Sequence, residues 1–349
     1  MDIVLDVLDT LVLDRIYAAV LPISAETLAD EPVLDDAALL SRYNHHARRY
    51  IDLPPAKWAA LSSWPRDDIR RQTLSLFAIT WIFGVLLYLI GSTASFLFVF
   101  DKTQMKHPKF LRNQIRQEIR QALAALPVMA ALTTPIFVAE VRGYTRLYDS
   151  AGRDESPGSR WWWWYTYLQC PLFIAFTDLC IYWIHRGLHH PRVYRHLHKP
   201  HHRWIVPTPY ASYAFHPLDG FSQSLPYHVY PALFPLHKLA YVALYGFVTV
   251  WTVLIHDGEY ATDSPLINGS ACHTMHHLYF NYNYGQFTTL WDRLGGSYRK
   301  PNDELFDPRL KTGKQEWDRQ VREIERLVEE VEGEDERSYY QGTKTKKDI

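Results

Sequence analysis

Cysteine is scarce in this chain of 349 residues, and that scarcity limits the folds open to it. The three cysteines, Cys170, Cys180 and Cys272, are too few for a disulfide framework, and none belongs to a Cys-x-x-Cys pair. Their sequence neighbours are mostly apolar. We therefore expect thiols that stay reduced or are buried in a membrane.

Several functional motifs are missing as well. The chain has no Gly-x-Gly-x-x-Gly motif for a dinucleotide and no recognisable haem or flavin domain, so electrons for any redox reaction must come from another protein. The zinc-protease motif His-Glu-x-x-His is excluded because Arg186 follows His185. The formal net charge of -1 does not show the excess of basic residues that is typical of a protein that binds nucleic acid.

The amino terminus lacks the basic region of a secretory signal, because Asp2, Asp6 and Asp9 stand there instead. The apolar residues between Ile3 and Val12 fall on one helical face. This pattern predicts an amphipathic helix. It could lie on a membrane, pack on a partner helix or be a short soluble helix.

Charge is absent from long stretches in the middle of the chain. Leu74 to Phe100 has no charged residue and is long enough to cross a hydrocarbon core of ~30 Å as a helix. A second span is predicted at about Ala122 to Ala139. The third begins at Trp161 to Trp164, four tryptophans that suit a membrane interface, and runs to about Ile184. The sequence therefore predicts an all-α, polytopic membrane protein with a bundle of transmembrane helices.

Basic residues predict the orientation of these spans. A run of lysines and arginines from Lys102 to Arg120 follows the first span and is typical of a cytoplasmic loop. Two further crossings bring the end of the third span back to that side. The apolar stretch from about Phe221 to Ile255 is either one span or a hairpin. We favour the hairpin, because a single crossing would separate His273 to His277 from the histidines that follow the third span.

Histidine is concentrated rather than scarce, since seven of the 17 histidines lie between His185 and His202. With a later cluster they form three boxes in which residues three or four apart share a helical face. So many imidazoles suit two metal ions better than one, because a tetrahedral zinc site uses about four ligands. The candidate ligands in the boxes are His185, His189, His198, His201, His202, His273, His276 and His277.

The histidines outside the boxes are weaker candidates. His256 ends the last apolar stretch at the expected depth of the first box, and we include it as a ninth ligand. His190 and His216 could be ligands or could support ligands, and His196 is expected to be incidental. Surface or interface positions are expected for His45, His46, His107, His228 and His237.

Carboxylates are expected behind the ligands, because a ligating imidazole usually donates its other N–H to a carboxylate or a carbonyl. The carboxylates best placed by sequence are Asp178, Asp219, Asp257 and Asp292.

The three boxes resemble those of the membrane-bound fatty acid hydroxylase superfamily, and the sequence around them resembles that of its sterol C-5 desaturases. The likeness covers about Asp178 to Pro301, and the amino-terminal part is similar to fungal members more loosely. The segments that carry it most specifically are Tyr182 to His190, Pro207 to Phe221, Asn268 to His277 and Leu290 to Ser297.

The resemblance implies a di-iron enzyme. The eight box histidines would bind two non-haem irons, dioxygen would be the oxidant, and NAD(P)H would supply electrons through cytochrome b5 and its reductase. The reaction implied is the introduction of the 5(6) double bond into a Δ7-sterol of the episterol or lathosterol type, in ergosterol-type biosynthesis. No catalytic residue beyond the metal ligands is implied. Basic residues beside the boxes could dock an acidic carrier or only contact lipid headgroups: Arg186, Arg192, Arg195, Lys199 and Arg203.

Two rival interpretations remain. A sterol C-4 methyl oxidase or a lipid hydroxylase of the same superfamily would share the boxes, although the sequence between the boxes favours the desaturase. A histidine-rich metal transporter would place its ligands within the spans, near the membrane midplane. Here the histidines are predicted at helix ends and in polar loops.

The whole chain is predicted to have four regions: a peripheral region at 1–71, a transmembrane region at 72–177, a hydroxylase-type catalytic region with a membrane hairpin at 178–300, and a charged cytosolic tail at 301–349. An apolar stripe from Trp317 to Val331 predicts a helix that packs on the protein. Lys346 and Lys347 resemble a dilysine retrieval signal. We therefore expect an endoplasmic reticulum membrane protein whose histidine-rich di-iron cap and carboxyl terminus are cytosolic.

Overall fold

The computed structural model describes residues 1–24, 50–51, 53, 57–149 and 159–339. Nearly all regular structure in these ranges is helical, as the sequence predicts. The α-helices are α1 (Asp2–Leu8), α2 (Asp14–Val20), α3 (Ile69–Phe98), α4 (Gln114–Val141), α5 (Ser159–Leu188), α6 (Pro191–Leu197), α7 (Lys199–His202), α8 (Pro217–Leu233), α9 (Lys238–Leu254), α10 (Ser270–Tyr279), α11 (Leu290–Leu294), α12 (Pro308–Lys311) and α13 (Lys314–Glu332). Shorter elements are a π-helical turn at Asp9–Leu13, 3-10 helices at Lys57–Leu61, Lys102–Lys106, Pro209–Tyr213 and Asp303–Phe306, and the strands β1 (Leu147–Tyr148) and β2 (Leu236–His237).

Three helices are long and apolar enough to cross a membrane: α3, α4 and the part of α5 from Trp164 to Leu188. They confirm the three predicted spans. The helices extend beyond the apolar stretches, however, and α4 already begins at Gln114. Arg116 and Arg120 continue this helix because a helical backbone satisfies its own hydrogen bonds in water as well as in lipid.

The apolar stretch after the second histidine box forms two helices, α8 and α9, of 17 residues each. The first of these begins directly after His216, and the second ends two residues before His256. The imidazole of His256 lies among the box histidines. Asp219, in the first turn of α8, bonds to one of them. The start of α8 and the end of α9 therefore both lie close to the box histidines.

Residues Met1–Phe83 and Ala130–Leu147 form one compact unit. Its apolar core contains Leu5, Leu76 and Phe137. The aspartates of the amino-terminal helices are buried as well, although a solvated acidic face would be usual for an amphipathic helix. The exposed large apolar side chains of this segment are Leu11, Val12, Ile16 and Val20. The contact of this segment with a membrane or a partner helix stays a prediction.

Buried ion pairs explain why the acidic face is turned inward. Arg66 donates to Asp6 at 2.7 Å and to Asp14 at 2.5 Å. Arg71 donates to Asp9 at 2.8 Å and to Asp14 at 2.5 Å. Pairing of this kind is what allows carboxylates to be buried at all.

Residues Gly84–Met129 and Tyr148–Ile349 form the second unit, which contains all three histidine boxes. One of its apolar clusters joins α10 to α13, with Met275 and Leu278 packed among Ile324 and Leu327. The predicted stripe on α13 is therefore confirmed as a packing face, although Val331 at its end is exposed. The division of the chain into four regions stays a prediction.

Candidate metal centre

Nine histidines converge in the second unit, and they are the nine that the sequence singles out. They form two groups, and within each group the ring nitrogens that face one another lie within 4.8 Å. The first group contains His185, His189, His198, His202 and His276. The second group contains His201, His256, His273 and His277.

Helical spacing explains how the boxes divide between the groups. His185 lies in the last turn of α5, and His189 follows one turn later. In the third box His273 and His277 are four residues apart on α10 and join the second group, while His276 joins the first. The second box splits in the same way, with His201 on one side. Each of these two boxes therefore contributes to both groups.

Several pairs of ring nitrogens face each other at a distance at which two lone pairs would repel. The Nε2 atoms of His185 and His198 lie 3.1 Å apart. Nδ1 of His185 faces the carbonyl oxygen of Tyr284 at 3.0 Å, and Nδ1 of His198 faces the carboxylate of Asp219 at 2.8 Å. Both oxygens can only accept, so both Nδ1 atoms carry the proton and the two Nε2 atoms meet lone pair to lone pair. A cation held between the rings resolves this clash, so the residues present fit a metal ion.

The second group repeats this arrangement. Nδ1 of His256 donates to the carbonyl of Thr252 at 2.7 Å, and Nδ1 of His277 donates to the carbonyl of Trp204 at 2.9 Å. Their Nε2 lone pairs therefore both point at Nε2 of His273, at 3.0 and 3.2 Å. One proton on His273 could satisfy only one of them.

Three further ring nitrogens of the nine histidines are buried without a hydrogen-bond partner among the described residues. They are Nε2 of His189, Nδ1 of His201 and Nδ1 of His202. A buried polar atom with no partner is costly, by roughly 1–3 kcal/mol, unless a ligand satisfies it. For Nε2 of His189, which belongs to the first group, that ligand can be the metal.

Burial favours the neutral form of an imidazole, which is the form that binds metal. Burial first, and the neighbouring imidazoles second, hold the pKa of His202 well below its usual range. The same two causes act on the pKa of His201 and of His273. Burial lowers the pKa of His256 to about 4.

Of the four predicted supporting carboxylates, Asp219 contacts a histidine of the centre. Asp292 instead accepts from the backbone N–H groups of Tyr284 and Gly285, both at 2.8 Å. Asp178 accepts from the N–H of Phe287 at 2.8 Å. Both carboxylates hold the loop whose Tyr284 carbonyl accepts from His185, so they act one layer further out than predicted. Asp257 accepts from the N–H of Glu259 at 2.8 Å.

Residues that sequence reasoning missed are those that act through the backbone. The carbonyls of Thr252, Trp204, Tyr282 and Tyr284 each accept from a histidine Nδ1 of the centre. A carbonyl is common to every residue type, so no side-chain pattern could have identified these positions.

The weaker histidine candidates do not join the centre. His190 and His216 occupy helix N-cap positions, where their Nδ1 atoms accept from backbone N–H groups at 3.4 and 3.3 Å. The expected surface or interface position is wrong for His107, which is buried beside Trp317 within its own unit, and His228 is also buried, with Nδ1 3.0 Å from the hydroxyl of Tyr241. His45 and His46 lie outside the described residues. Burial raises the pKa of Cys272 to about 12, so its thiol is an inert neighbour of the third box.

Comparison with known proteins assigns the chain to a family. The fatty acid hydroxylase family model matches residues 170–297, a range that encloses all nine histidines. A Delta(7)-sterol 5(6)-desaturase of Aspergillus fumigatus, erg3B, is 63% identical over 344 residues, which is 99% of each chain. The chain belongs to the Delta(7)-sterol 5(6)-desaturase family.

Other members of this desaturase family match over the same extent. The desaturase of Leptosphaeria maculans is 56% identical over 360 residues, 99% of both chains. The desaturase of Saccharomyces cerevisiae is 47% identical over 370 residues, 99% of this chain and all of its relative. No solved structure shows a significant match to this desaturase. The resemblance predicted from the boxes is therefore confirmed over nearly the full length.

Proposed function

We propose that this desaturase holds two iron ions in its two histidine groups and uses them, with dioxygen, to remove the hydrogens from C5 and C6 of a Δ7-sterol. The chain is an oxidoreductase of sterol biosynthesis that introduces the C5–C6 double bond. Its relatives at 45–63% identity are named Delta(7)-sterol 5(6)-desaturases. The iron dependence of the fatty acid hydroxylase family supports iron as the metal. The observation that carries the metal proposal is the pair of facing Nε2 lone pairs on His185 and His198.

The reaction needs a strong oxidant, because the hydrogens at C5 and C6 are not acidic. Side-chain acids and bases cannot remove them, and iron with dioxygen supplies the oxidising power when bound. The balanced reaction consumes the sterol, one dioxygen, two electrons and two protons, and it yields the diene and two waters. The first group would offer up to five imidazoles to one ion, and the second group would offer up to four to the other.

The protein prepares this centre through hydrogen bonds to the far side of each ring. An Nδ1–H donated to a fixed carbonyl or carboxylate sets the tautomer and orients Nε2 toward the metal. His276 uses the carbonyl of Tyr282 at 2.7 Å in this way, and His198 uses Asp219. Burial of the rings excludes water, which would otherwise compete for the ligand nitrogens.

Electrons are proposed to come from NAD(P)H through cytochrome b5 and its reductase. Among the five basic residues near the boxes, Arg186, Lys199 and Arg203 bond to other parts of the chain. Arg192 and Arg195 lie exposed on α6, between the first two boxes. These two arginines are therefore the better candidates for docking an acidic carrier.

The three membrane-capable helices make this a membrane protein. We propose the endoplasmic reticulum as its membrane, with the histidine centre and the carboxyl terminus in the cytosol. Lys346 and Lys347, the proposed retrieval signal, lie outside the described residues.

Neither rival interpretation is favoured by a specific observation. A C-4 methyl oxidase or a lipid hydroxylase would share the histidines, but the full-length relatives reported above are named as 5(6)-desaturases. A transporter would hold its ligands midway along the spans. Here His185 lies in the last turn of α5 and His256 lies just beyond the end of α9.

The activity is tested by expressing the chain in cells that lack their own C-5 desaturase and analysing their sterols. We expect 5,7-dienes to appear with the wild type and to be absent with His201→Ala, which removes a ligand of the second group. Accumulation of Δ7-sterols without 5,7-dienes in cells that contain the wild-type protein would refute the proposed activity.

A further inference from the structure

The last residue of α13 and the segment that follows it lie against the second histidine box. We name Glu332 to Tyr339 the C-terminal strap. It lies in the same compact unit as the metal centre. Nothing in its sequence suggests a role there, because it reads as part of a charged tail.

Arg337 of the strap closes the end of the helix that carries the second box. Helix α7 has only four residues, so its last carbonyls have no partner within the helix. Arg337 donates from Nη2 to the carbonyl of His202 at 3.0 Å and from Nε to the carbonyl of Arg203 at 3.3 Å. The next carbonyl along, that of Trp204, accepts from the ligand His277. Arg337 therefore fixes the backbone at a point where two proposed ligands meet.

Glu332 braces the other side of the same box. Its carboxylate binds both Nη atoms of Arg337 in a fork, at 2.8 and 3.0 Å. It also accepts from the hydroxyl of Tyr194 on α6 at 3.0 Å and lies 3.2 Å from the ammonium of Lys199, the first residue of α7. The Glu332 side chain is only 1% exposed, so these bonds form in a low-dielectric setting where they are strong.

Tyr194 links Glu332 to the proposed ligands, because its hydroxyl donates to Glu332 and its ring lies beside two of the histidines. Its ring is buried, and its centroid lies 5.4 Å from that of His189 and 5.9 Å from that of His202. The far end of the strap is also fastened, because Arg112 donates its N–H to the carbonyl of Ser338 at 3.1 Å. Tyr339 packs on the cluster that contains Trp204. The strap is thus tied down on both sides of Arg337.

We infer that Glu332 and Arg337 are positioning residues for the metal centre, which hold the second box in place and thereby slow the escape of metal from it. The inference rests on the proposed metal centre. Neither residue contacts the reacting atoms. Their effect reaches the ligands through the carbonyls of α7 and through the Tyr194 ring.

The test measures iron release from the full-length protein in lipid nanodiscs. Protein loaded with ferrous iron is mixed with an excess of a ferrous chelator, and the coloured complex is followed with time. The variants are Arg337→Met and Glu332→Gln. The matched controls are Arg326→Met and Glu330→Gln, which break an exposed ion pair of 3.7 Å on the same helix.

We expect release to be at least about tenfold faster in both strap variants, because residues behind metal ligands typically change affinity by 10–100-fold. The controls should release iron at the wild-type rate. Arg337→Lys, which restores one donor but not the fork, should give an intermediate rate. A general loss of stability would not be rescued in this graded way.

A gentler variant decides the matter where the strap variants fail to fold. Tyr194→Phe removes one hydrogen bond to Glu332 and no charge, and we expect release about threefold faster. Wild-type release rates from Tyr194→Phe and Arg337→Lys overturn the inference, as do wild-type rates from folded Arg337→Met and Glu332→Gln. A wild-type protein that binds no iron would instead overturn the proposed metal centre.

Discussion

Asp219 has the most direct support role of any carboxylate described at the centre. Its Oδ2 accepts from Nδ1 of His198 at 2.8 Å, and its Oδ1 accepts from the amide of Gln223 at 2.8 Å. Both Asp219 and His198 are fully buried. The carboxylate therefore sets the tautomer of a ligand and orients its Nε2 toward the metal.

Asp219→Asn should weaken iron binding by roughly tenfold, because the amide lacks the charge and can turn its NH2 group toward His198. Titration of the iron-loaded protein with a chelator measures this change. Asp303→Asn, at an exposed position, is the control and should leave the affinity unchanged. Equal affinities for Asp219→Asn and the wild type would contradict the role given to this carboxylate.

Asp9 offers a prediction about pH in the other compact unit. Burial raises its pKa to about 6 from 3.8, despite the opposing effect of Arg71. The folded state therefore holds a proton that the unfolded state has lost, and stability falls as the pH rises from about 4 to about 6. Asp9→Asn cannot lose a proton. It should match the wild type below pH 4 and be more stable at pH 7, by roughly 1–3 kcal/mol.

Thermal unfolding at several pH values measures this difference in the full-length protein. The informative quantity is the variant's unfolding temperature minus that of the wild type. We expect it to grow between pH 4 and pH 6 and to level off above. A difference that is constant across this range would show that Asp9 does not titrate there.

At the scale of elements, we propose that the short helix α6 combines two roles. Its buried Tyr194 faces the histidines, while Arg192 and Arg195 are exposed. A carrier that docks on these arginines would lie on the outer face of the helix that joins two ligand boxes. The two proposed docking arginines therefore lie in the sequence between the ligands His189 and His198.

Reversal of both charges, Arg192→Glu with Arg195→Glu, should raise the concentration of cytochrome b5 needed for half-maximal desaturation, and added salt should reduce the difference. Arg326→Glu, an exposed site on α13, is the control. The measurement is the rate of diene formation against carrier concentration. The same carrier requirement in the double variant and the wild type would leave these arginines with a role in topology or lipid contact only.

The elements also show what the sequence could and could not predict. The apolar spans and the histidine boxes follow from local patterns, since both depend on spacing within one helix. The C-terminal strap and the hydrogen bonds that Asp178 accepts depend on contacts between residues distant in the chain, such as His202 with Arg337. Such contacts leave no mark in composition. His190 and His216 show the converse limit, because one residue type serves both as ligand and as helix cap.

At the scale of the whole molecule, the ends of two apolar helices of the second unit lie at the buried histidine centre. Helix α5 carries His185 in its last turn, and His256 lies two residues after the end of α9. In the proposed orientation, a sterol would approach the centre from the bilayer and the proposed electron carrier would approach it from the cytosol. The position of the histidine centre also explains why the ambiguous apolar stretch becomes two helices, since its two ends must both reach the centre.

Nine histidines are proposed to hold two iron ions. Iron analysis of the purified full-length protein, after loading with ferrous iron and removal of the excess, measures this number. We predict about two irons per chain in the wild type and about one in His256→Ala with His273→Ala, which removes half of the second group. One iron or none in the wild type, or an unchanged iron content in the double variant, would contradict a pair of iron sites in these two groups.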